Sequence, residues 1–162
     1  MTRPWNVLFL CTGNSARSIL AEVALNLLGH GRFRAYSAGS RPLGQVNPYA
    51  LEIAVTLGYP LTSLSSKSWE HFSGNAPAMD IIITVCDKAA GETCPVWPGH
   101  PATAHWGFAD PATVRGSDGE KRKAFLDTFH QVRGKVQQLV DLPLEMLDAA
   151  ARQSALHRIG RQ

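Results

Sequence analysis

The chain has 162 residues, of which 44% are hydrophobic and 18% charged, and this composition predicts a single soluble, globular domain over residues 1–162. Its apolar runs are too short to span a membrane, and its first residues lack the pattern of a signal peptide. The net charge is +3, and the basic residues are scattered along the chain, unlike the concentrated basic face of a nucleic-acid binder. We therefore expect neither a membrane nor a nucleic-acid partner, and the missing signal-peptide pattern leads us to expect a cytoplasmic protein.

The elements predicted from hydrophobic periodicity and turn residues alternate between strands and helices. In chain order they are a strand at 6–10, a helix at 19–28, a strand at 33–37, a helix at 47–58, a short helix near 69–72, strands at 79–85 and 103–108, and helices at 117–140 and 144–159. The alternation predicts an α/β fold with a small, doubly wound parallel sheet of about four strands, flanked by helices. The residues at about 143–160 are expected to add a C-terminal helical tail.

Three segments leave predicted strands at the edge where such sheets bind ligands. They begin at Cys11, Cys86 and Gly107. Because the carboxyl ends of parallel strands meet at one edge, we expect the three segments to converge.

The first of these segments, CTGNSARS at residues 11–18, connects a buried strand to a helix. Backbone N–H groups and the positive end of the helix dipole favour an anion in such a turn. We expect Gly13 to adopt a conformation closed to other residues, and Asn14 to tolerate a positive φ. Arg17 can hold two oxygens of a tetrahedral anion. The predicted oxyanion-binding residues are Thr12, Gly13, Asn14, Ser15, Ala16, Arg17 and Ser18.

Cys11 is the candidate nucleophile of this turn. A thiol above a helix N-terminus and near a guanidinium is expected to have a lowered pKa, and the thiolate is the reactive form. Ser18 can donate a hydrogen bond to the sulfur. The alternative is a buried structural cysteine in an ordinary strand-to-helix turn.

The stretch VLFLCTGNSARS resembles the signature loop of the low-molecular-weight protein tyrosine phosphatase superfamily, which includes the thiol-coupled arsenate reductases. Glu22, the Ser-Ala-Gly at 37–39 and the pair Asp110-Pro111 match further elements of that superfamily, and the likeness covers about residues 5–140. The resemblance implies a low-molecular-weight phosphatase-like fold, a single catalytic domain, and Asp110 as the general acid. The loop alone does not separate a phosphatase from a reductase.

A second stretch, VCDKAAGETCPVWPG, resembles the redox segment of the thioredoxin-coupled arsenate reductases. The resemblance implies a relay in which Cys11 attacks arsenate, Cys86 attacks Cys11 and releases arsenite, and Cys94 takes over the disulfide. An external thiol reductant then reduces that disulfide, either thioredoxin or glutathione with glutaredoxin. Seven residues separate Cys86 from Cys94, one more than in the best-known members, and Ala16 stands where many relatives carry another cysteine.

Two other functions stay open at this point. One is a phosphatase that hydrolyses phosphate monoesters through a Cys11 phosphoenzyme, although the aromatic residues that follow Asp-Pro in such phosphatases are absent here. The other is a non-catalytic module that binds an oxyanion or senses redox state.

No bound cofactor and no metal are expected. A zinc site would need ligands whose spacing fits no common pattern, namely Cys86, Cys94, His100 and His105. Positions where some relatives hold a potassium ion are roughly matched by residues that structural hydrogen bonding explains equally well: Asn14, Glu22, Ser37, Ser68 and Glu70.

Overall fold

The computed structural model describes residues 3–72, 77–90 and 100–162. Within them, four parallel strands form one sheet in the order β2-β1-β3-β4. The strands are β1 (Trp5–Cys11), β2 (Phe33–Gly39), β3 (Ile81–Thr84) and β4 (Ala102–His105). The helices are α1 (Arg17–Leu28), α2 (Pro48–Thr56), α3 (Asp87–Ala90), α4 (Asp118–Val140) and α5 (Ala149–Gly160). This architecture confirms the predicted α/β fold with a small parallel sheet.

The central strand β1 is buried on both faces, as its continuous apolar sequence predicts. Val7 and Phe9 point into the larger core, which α1 and α4 cover, and Leu8 and Leu10 point into a smaller cluster on the other face. All four side chains are fully buried. Burial of this strand fixes the position of the residue that follows it, Cys11.

The register of the sheet brings the carboxyl ends of all four strands to one edge. Cys11 is paired with Gly39 on β2, and Leu10 with Thr84 on β3. Thr84 is paired in turn with His105 on β4. The segments that follow these strands therefore start side by side.

The long helix α4 begins as its sequence predicts. Ser117 accepts a hydrogen bond from the N–H of Glu120, and the Glu120 carboxylate accepts one from the N–H of Ser117, which together form a capping box. The helix ends at Val140, also as predicted.

The last two predicted elements differ from the structure. The strand expected at 103–108 ends at His105, although the backbone N–H groups of Trp106 and Phe108 still donate to the carbonyls of Thr84 and Val85 at the end of β3. The single helix expected at 144–159 is a 3₁₀ turn at Leu144–Met146 followed by α5, because the Asp148 side chain caps the N–H of Ala151 and starts a new helix.

The C-terminal segment packs on the side of the sheet that carries β4. Leu156 is fully buried, Ile159 nearly so, and Trp106 Nε1 donates a hydrogen bond to the Leu156 carbonyl at 3.0 Å. Across the described part of the chain, no helix has the length and apolar character needed to cross a membrane.

Candidate active site

Cys11 lies at the bottom of the turn between β1 and α1, almost fully buried. Its Sγ accepts a hydrogen bond from the N–H of Asn14 at 3.3 Å and lies 3.1 Å from Ser18 Oγ. The Ser18 hydroxyl oxygen accepts a hydrogen bond from Asn14 Nδ2 at 2.8 Å, which leaves its hydrogen free to point at the sulfur. The turn therefore holds the sulfur with two hydrogen-bond donors.

Asn14 carries the unusual backbone conformation of the turn. Its φ is +47°, and its side-chain oxygen accepts a hydrogen bond from the N–H of Lys67 at 2.9 Å. The expectation for Gly13 is wrong, because its φ is not positive. A Cβ on Gly13 would lie 3.1 Å from the exposed Leu43 side chain, a close contact that a small movement of Leu43 relieves.

The second predicted thiol, Cys86, lies beside the first. It follows β3 directly and precedes α3. The Val85 N–H donates to the Leu10 carbonyl, so the two cysteines end neighbouring strands, close enough for the ionisation of one thiol to affect the other. Its Sγ also accepts a hydrogen bond from the N–H of Ala89 at 3.4 Å and lies 3.7 Å from Thr12 Oγ1. Two cysteines that are 75 positions apart in the sequence thus form one pair at the sheet edge.

The pair ionises differently from the expectation for Cys11 alone. The hydrogen bond from the Cys11 thiol, with those from the Ala89 N–H and Thr12, lowers the pKa of Cys86 to about 5. The hydrogen bond to Cys86, together with burial, raises the pKa of Cys11 well above its ordinary value. At neutral pH the coupled pair therefore shares one proton and carries one thiolate.

Arg17 and Asp110 meet at the mouth of the turn. Arg17 Nη1 donates to the Phe108 carbonyl at 3.0 Å, and Arg17 Nη2 lies 3.4 Å from Asp110 Oδ2. Asp110 also accepts a hydrogen bond from the N–H of Ala112 and so caps the 3₁₀ turn that begins at Pro111. The turn-forming role and the proposed chemical role of Asp110 coexist.

Arg17, Cys86 and Asp110 line one cleft of about 640 Å³ at the sheet edge, and Cys11 lies buried beside it. Of the predicted oxyanion-binding residues, Thr12, Gly13 and Arg17 line the cleft. Asn14, Ala16 and Ser18 are buried beneath it, and the Ser15 carbonyl accepts a hydrogen bond from the N–H of Asn47. The three segments expected to converge do so.

A fourth segment also reaches the cleft, and the sequence analysis missed it. Arg41 and Leu43, which follow β2, line the cleft together with Asp87 of α3. The signal was present, because the second predicted strand ends at the same edge as the first in a parallel sheet.

The third cysteine, Cys94, lies outside the described residues. Of its companions in the zinc alternative, His105 uses both ring nitrogens, with Nδ1 2.8 Å from Thr84 Oγ1 and Nε2 2.7 Å from Asp87 Oδ1. Among the residues that the structure describes, no cluster of three or more His, Cys, Asp or Glu side chains is placed to hold a metal ion.

The residues of the potassium alternative have protein partners. Glu22 is buried, accepts a hydrogen bond from Ser37 Oγ at 2.6 Å, and has a pKa raised by that burial. The nearby ammonium of Lys67 acts in the opposite direction on this carboxyl. Ser68 Oγ accepts a hydrogen bond from the N–H of Glu70. These contacts support a structural role for the group.

Comparison with known proteins identifies one family, and the relatives reported below are named arsenate reductases. The family model described as low molecular weight phosphotyrosine protein phosphatase matches residues 6–153. An arsenate reductase of Bacillus subtilis is 34% identical over 137 residues, which are 83% of this chain and 94% of that protein. A solved structure of an arsenate reductase in the phosphate binding state has a TM-score of 0.63 at 26% identity and covers 84% of this chain and 96% of its own.

A more distant structure shares the fold alone. The thioredoxin-dependent arsenate reductase Cg_ArsC1' of Corynebacterium glutamicum matches with a TM-score of 0.59 at 23% identity and covers 85% of this chain. This chain spans 61% of that protein.

Proposed function

This chain belongs to the low molecular weight phosphotyrosine protein phosphatase family, and from that premise we propose that it is an arsenate reductase that works by a relay of thiols. The similarity to proteins named arsenate reductase supports the substrate. We assign Cys11, Arg17, Cys86, Cys94 and Asp110 to catalysis, and the loop from Thr12 to Ser18 to oxyanion binding.

The observation that carries the proposal is that Cys11 and Cys86 lie buried at the ends of neighbouring strands, with Cys86 Sγ 3.7 Å from Oγ1 of Thr12, the residue after Cys11. Hydrolysis of a phosphate ester through Cys11 needs no second thiol, because water completes the reaction. Reduction of arsenate needs two electrons, and a neighbouring thiolate that can attack the first sulfur supplies them. A resolving cysteine at the end of the neighbouring strand, coupled in ionisation to the nucleophile, favours reduction.

In the first step, the Cys11 thiolate attacks the arsenic atom of a bound arsenate. An As–O bond breaks, Asp110 gives its proton to the leaving oxygen, and water departs, which leaves arsenic(V) bonded to Cys11. Cys11 becomes a thiolate when the proton that the pair shares moves to Cys86. Arg17 holds the oxygens of the anion during this step.

In the second step, the Cys86 thiolate attacks Cys11 Sγ. An S–S bond forms, the S–As bond breaks, and its electron pair stays on arsenic, which leaves as arsenite. Before this attack Cys86 gives up the proton that it took from Cys11, which the departing arsenite takes up, and the Ala89 N–H and Thr12 lower the pKa of Cys86 independently of Cys11. Attack of Cys94 on Cys86 moves the disulfide to Cys86–Cys94 and frees Cys11.

An external thiol reductant closes the cycle, and either thioredoxin or glutathione with glutaredoxin meets the chemistry. A cytoplasmic location fits this cycle, because the cysteines must return to the reduced state after each turnover. We further propose that residues 1–162 act as one catalytic domain, because α5 packs into the core beside β4.

The family also supports a second candidate, hydrolysis of phosphate monoesters, which uses the same Cys11, Arg17 and Asp110. The two activities differ in their need for the second thiol, Cys86, which reduction requires and hydrolysis does not. The test is to assay wild type and the variants Cys86→Ser and Cys94→Ser for arsenate reduction coupled to NADPH oxidation, and in parallel for aryl phosphate hydrolysis. Parallel assays with thioredoxin and thioredoxin reductase, or with glutathione and glutaredoxin, identify the donor.

We expect each of the two variants to lose arsenate turnover by about a thousandfold or more. In Cys86→Ser the disulfide with Cys11 cannot form, and in Cys94→Ser it cannot be transferred. Any aryl phosphate hydrolysis should stay within a few-fold of wild type, which shows that the folded site is intact. Cys11→Ser should abolish both activities. Unchanged arsenate turnover in Cys86→Ser would overturn the proposal.

A further inference from the structure

Arg41 stands at the mouth of the cleft on the segment that follows β2. Its backbone N–H donates to the Thr12 carbonyl at 2.9 Å, which ties the residue to the oxyanion loop. Pro42 follows directly and restricts the backbone of Arg41 to extended conformations. The side chain is exposed and lines the same cleft as Arg17, Cys86 and Asp110.

The guanidinium of Arg41 has no partner within the described residues. Of the other charged groups that line the cleft, Arg17 is engaged with Asp110 and with the Phe108 carbonyl, and Asp87 is bonded to His105. No hydrogen bond or ion pair engages the Arg41 guanidinium in the part of the chain that the structure describes. It is a cation on the cleft surface that is available to a ligand.

The charge of the cleft explains why such a cation is needed. Without Arg41, the one arginine of the described lining stands against the Asp87 carboxylate and the thiolate of the cysteine pair. A lining with that balance repels an incoming anion, and Arg17 alone is already shared with Asp110. A second guanidinium offsets part of the repulsion.

We propose that Arg41 is a second oxyanion-binding residue, which draws the tetrahedral anion into the cleft and binds its outer oxygens while Arg17 binds the inner ones. The inference rests on the proposed function for its substrate, arsenate, and extends equally to phosphate, which has the same shape and charge. Because Arg41 contacts the anion before and during the reaction alike, it contributes to KM rather than to kcat.

The test compares Arg41→Gln with Arg41→Lys and with a control, Arg34→Gln. Arg34 is an exposed arginine near the start of β2, at the end of that strand opposite the cleft, whereas Arg41 follows the other end. Two quantities are measured for each protein: the Kd of inorganic phosphate by titration calorimetry, and KM and kcat for arsenate with the thiol donor in excess.

Arg41→Gln should raise the phosphate Kd and the arsenate KM by about tenfold, with kcat within about twofold of wild type. The loss should shrink at high salt, because exposed charges are screened. Arg41→Lys should recover most of the affinity, and Arg34→Gln should match wild type.

Two outcomes overturn the inference: a phosphate Kd unchanged in Arg41→Gln, or no measurable phosphate binding by wild type. Failure of the proposed function gives a different result. If no protein in the series reduces arsenate but Arg41→Gln still weakens phosphate binding, the role of Arg41 holds and the reductase proposal fails.

Discussion

At the scale of single residues, the thiols of Cys11 and Cys86 form a coupled pair, and both side chains are almost fully buried. The interaction with Cys86, together with burial, disfavours the charged form of Cys11. The Cys86 sulfur receives hydrogen bonds from Cys11, from the Ala89 N–H and from Thr12, which favour its charged form. The interactions of the pair therefore favour the charged form of the sulfur that attacks second.

The ionisation of Cys86 predicts how its reactivity depends on pH. Its pKa of about 5 means that the thiolate is present at neutral pH and is lost as the pH falls through that value. The rate of Cys86 alkylation by iodoacetamide, followed by peptide mass spectrometry, should be nearly constant between about pH 6 and 8 and should fall below pH 5.

The matched variant is Cys11→Ala, which removes the largest cause of the low pKa. In that variant the midpoint of the Cys86 alkylation profile should move upward. A wild-type profile that rises tenfold per pH unit to about 8.5, the value of a free thiol, would contradict the assignment.

The roles of Cys11, Arg17 and Asp110 as neighbours were accessible from the sequence, because each follows a strand whose carboxyl end meets the same edge. The location of the proton within the cysteine pair was not accessible from the sequence. It depends on contact between Cys11 and Cys86, which are far apart in the chain, and no local pattern reports that distance. The expectation of a thiolate on Cys11 considered only the groups of its own loop.

At the scale of elements, the end of β2 supports the oxyanion loop directly. Gly39 pairs with Cys11, and a Cβ on Gly39 would collide with the Thr12 carbonyl and come within 3.0 Å of the Asn14 nitrogen. Both are backbone atoms, so the strand end and the loop fit together only when this position has no side chain.

Gly39→Ala should therefore displace the loop. We expect a loss of at least about tenfold in catalytic efficiency and a stability loss of about 1–3 kcal/mol, measured by turnover and by urea unfolding. The control is Gly134→Ala, at an exposed position in α4 where a Cβ meets nothing within 4 Å. That change should leave turnover unaltered and add about 0.5–1 kcal/mol of stability. Equal stability and activity in both variants would contradict the close fit at Gly39.

The elements with strong local signals were predictable. The apolar run of β1, Asn47 and Pro48 at the start of α2, and the capping box of α4 each appear in the structure as predicted. The end of β4 and the path of the segment after β2 were not predictable, because both are determined by packing at the sheet edge. Arg41 was missed for that reason, although its strand was identified.

At the scale of the whole molecule, the strand order places β1 between β2 and β3, so the oxyanion loop lies between Arg41 on one side and Cys86 on the other. The alternation of elements predicted the fold class but not this order, which depends on pairing between distant strands. The position of Cys94 stays a prediction from resemblance.

The central claim is that Cys86 attacks Cys11 and releases arsenite. The most direct measurement is a single turnover of reduced Cys94→Ser protein with one equivalent of arsenate and no external reductant, quenched by alkylation. The account predicts one Cys11–Cys86 disulfide, found by peptide mapping, and one arsenite per chain. Recovery of Cys11 and Cys86 as alkylated free thiols, with arsenate unchanged, would contradict it.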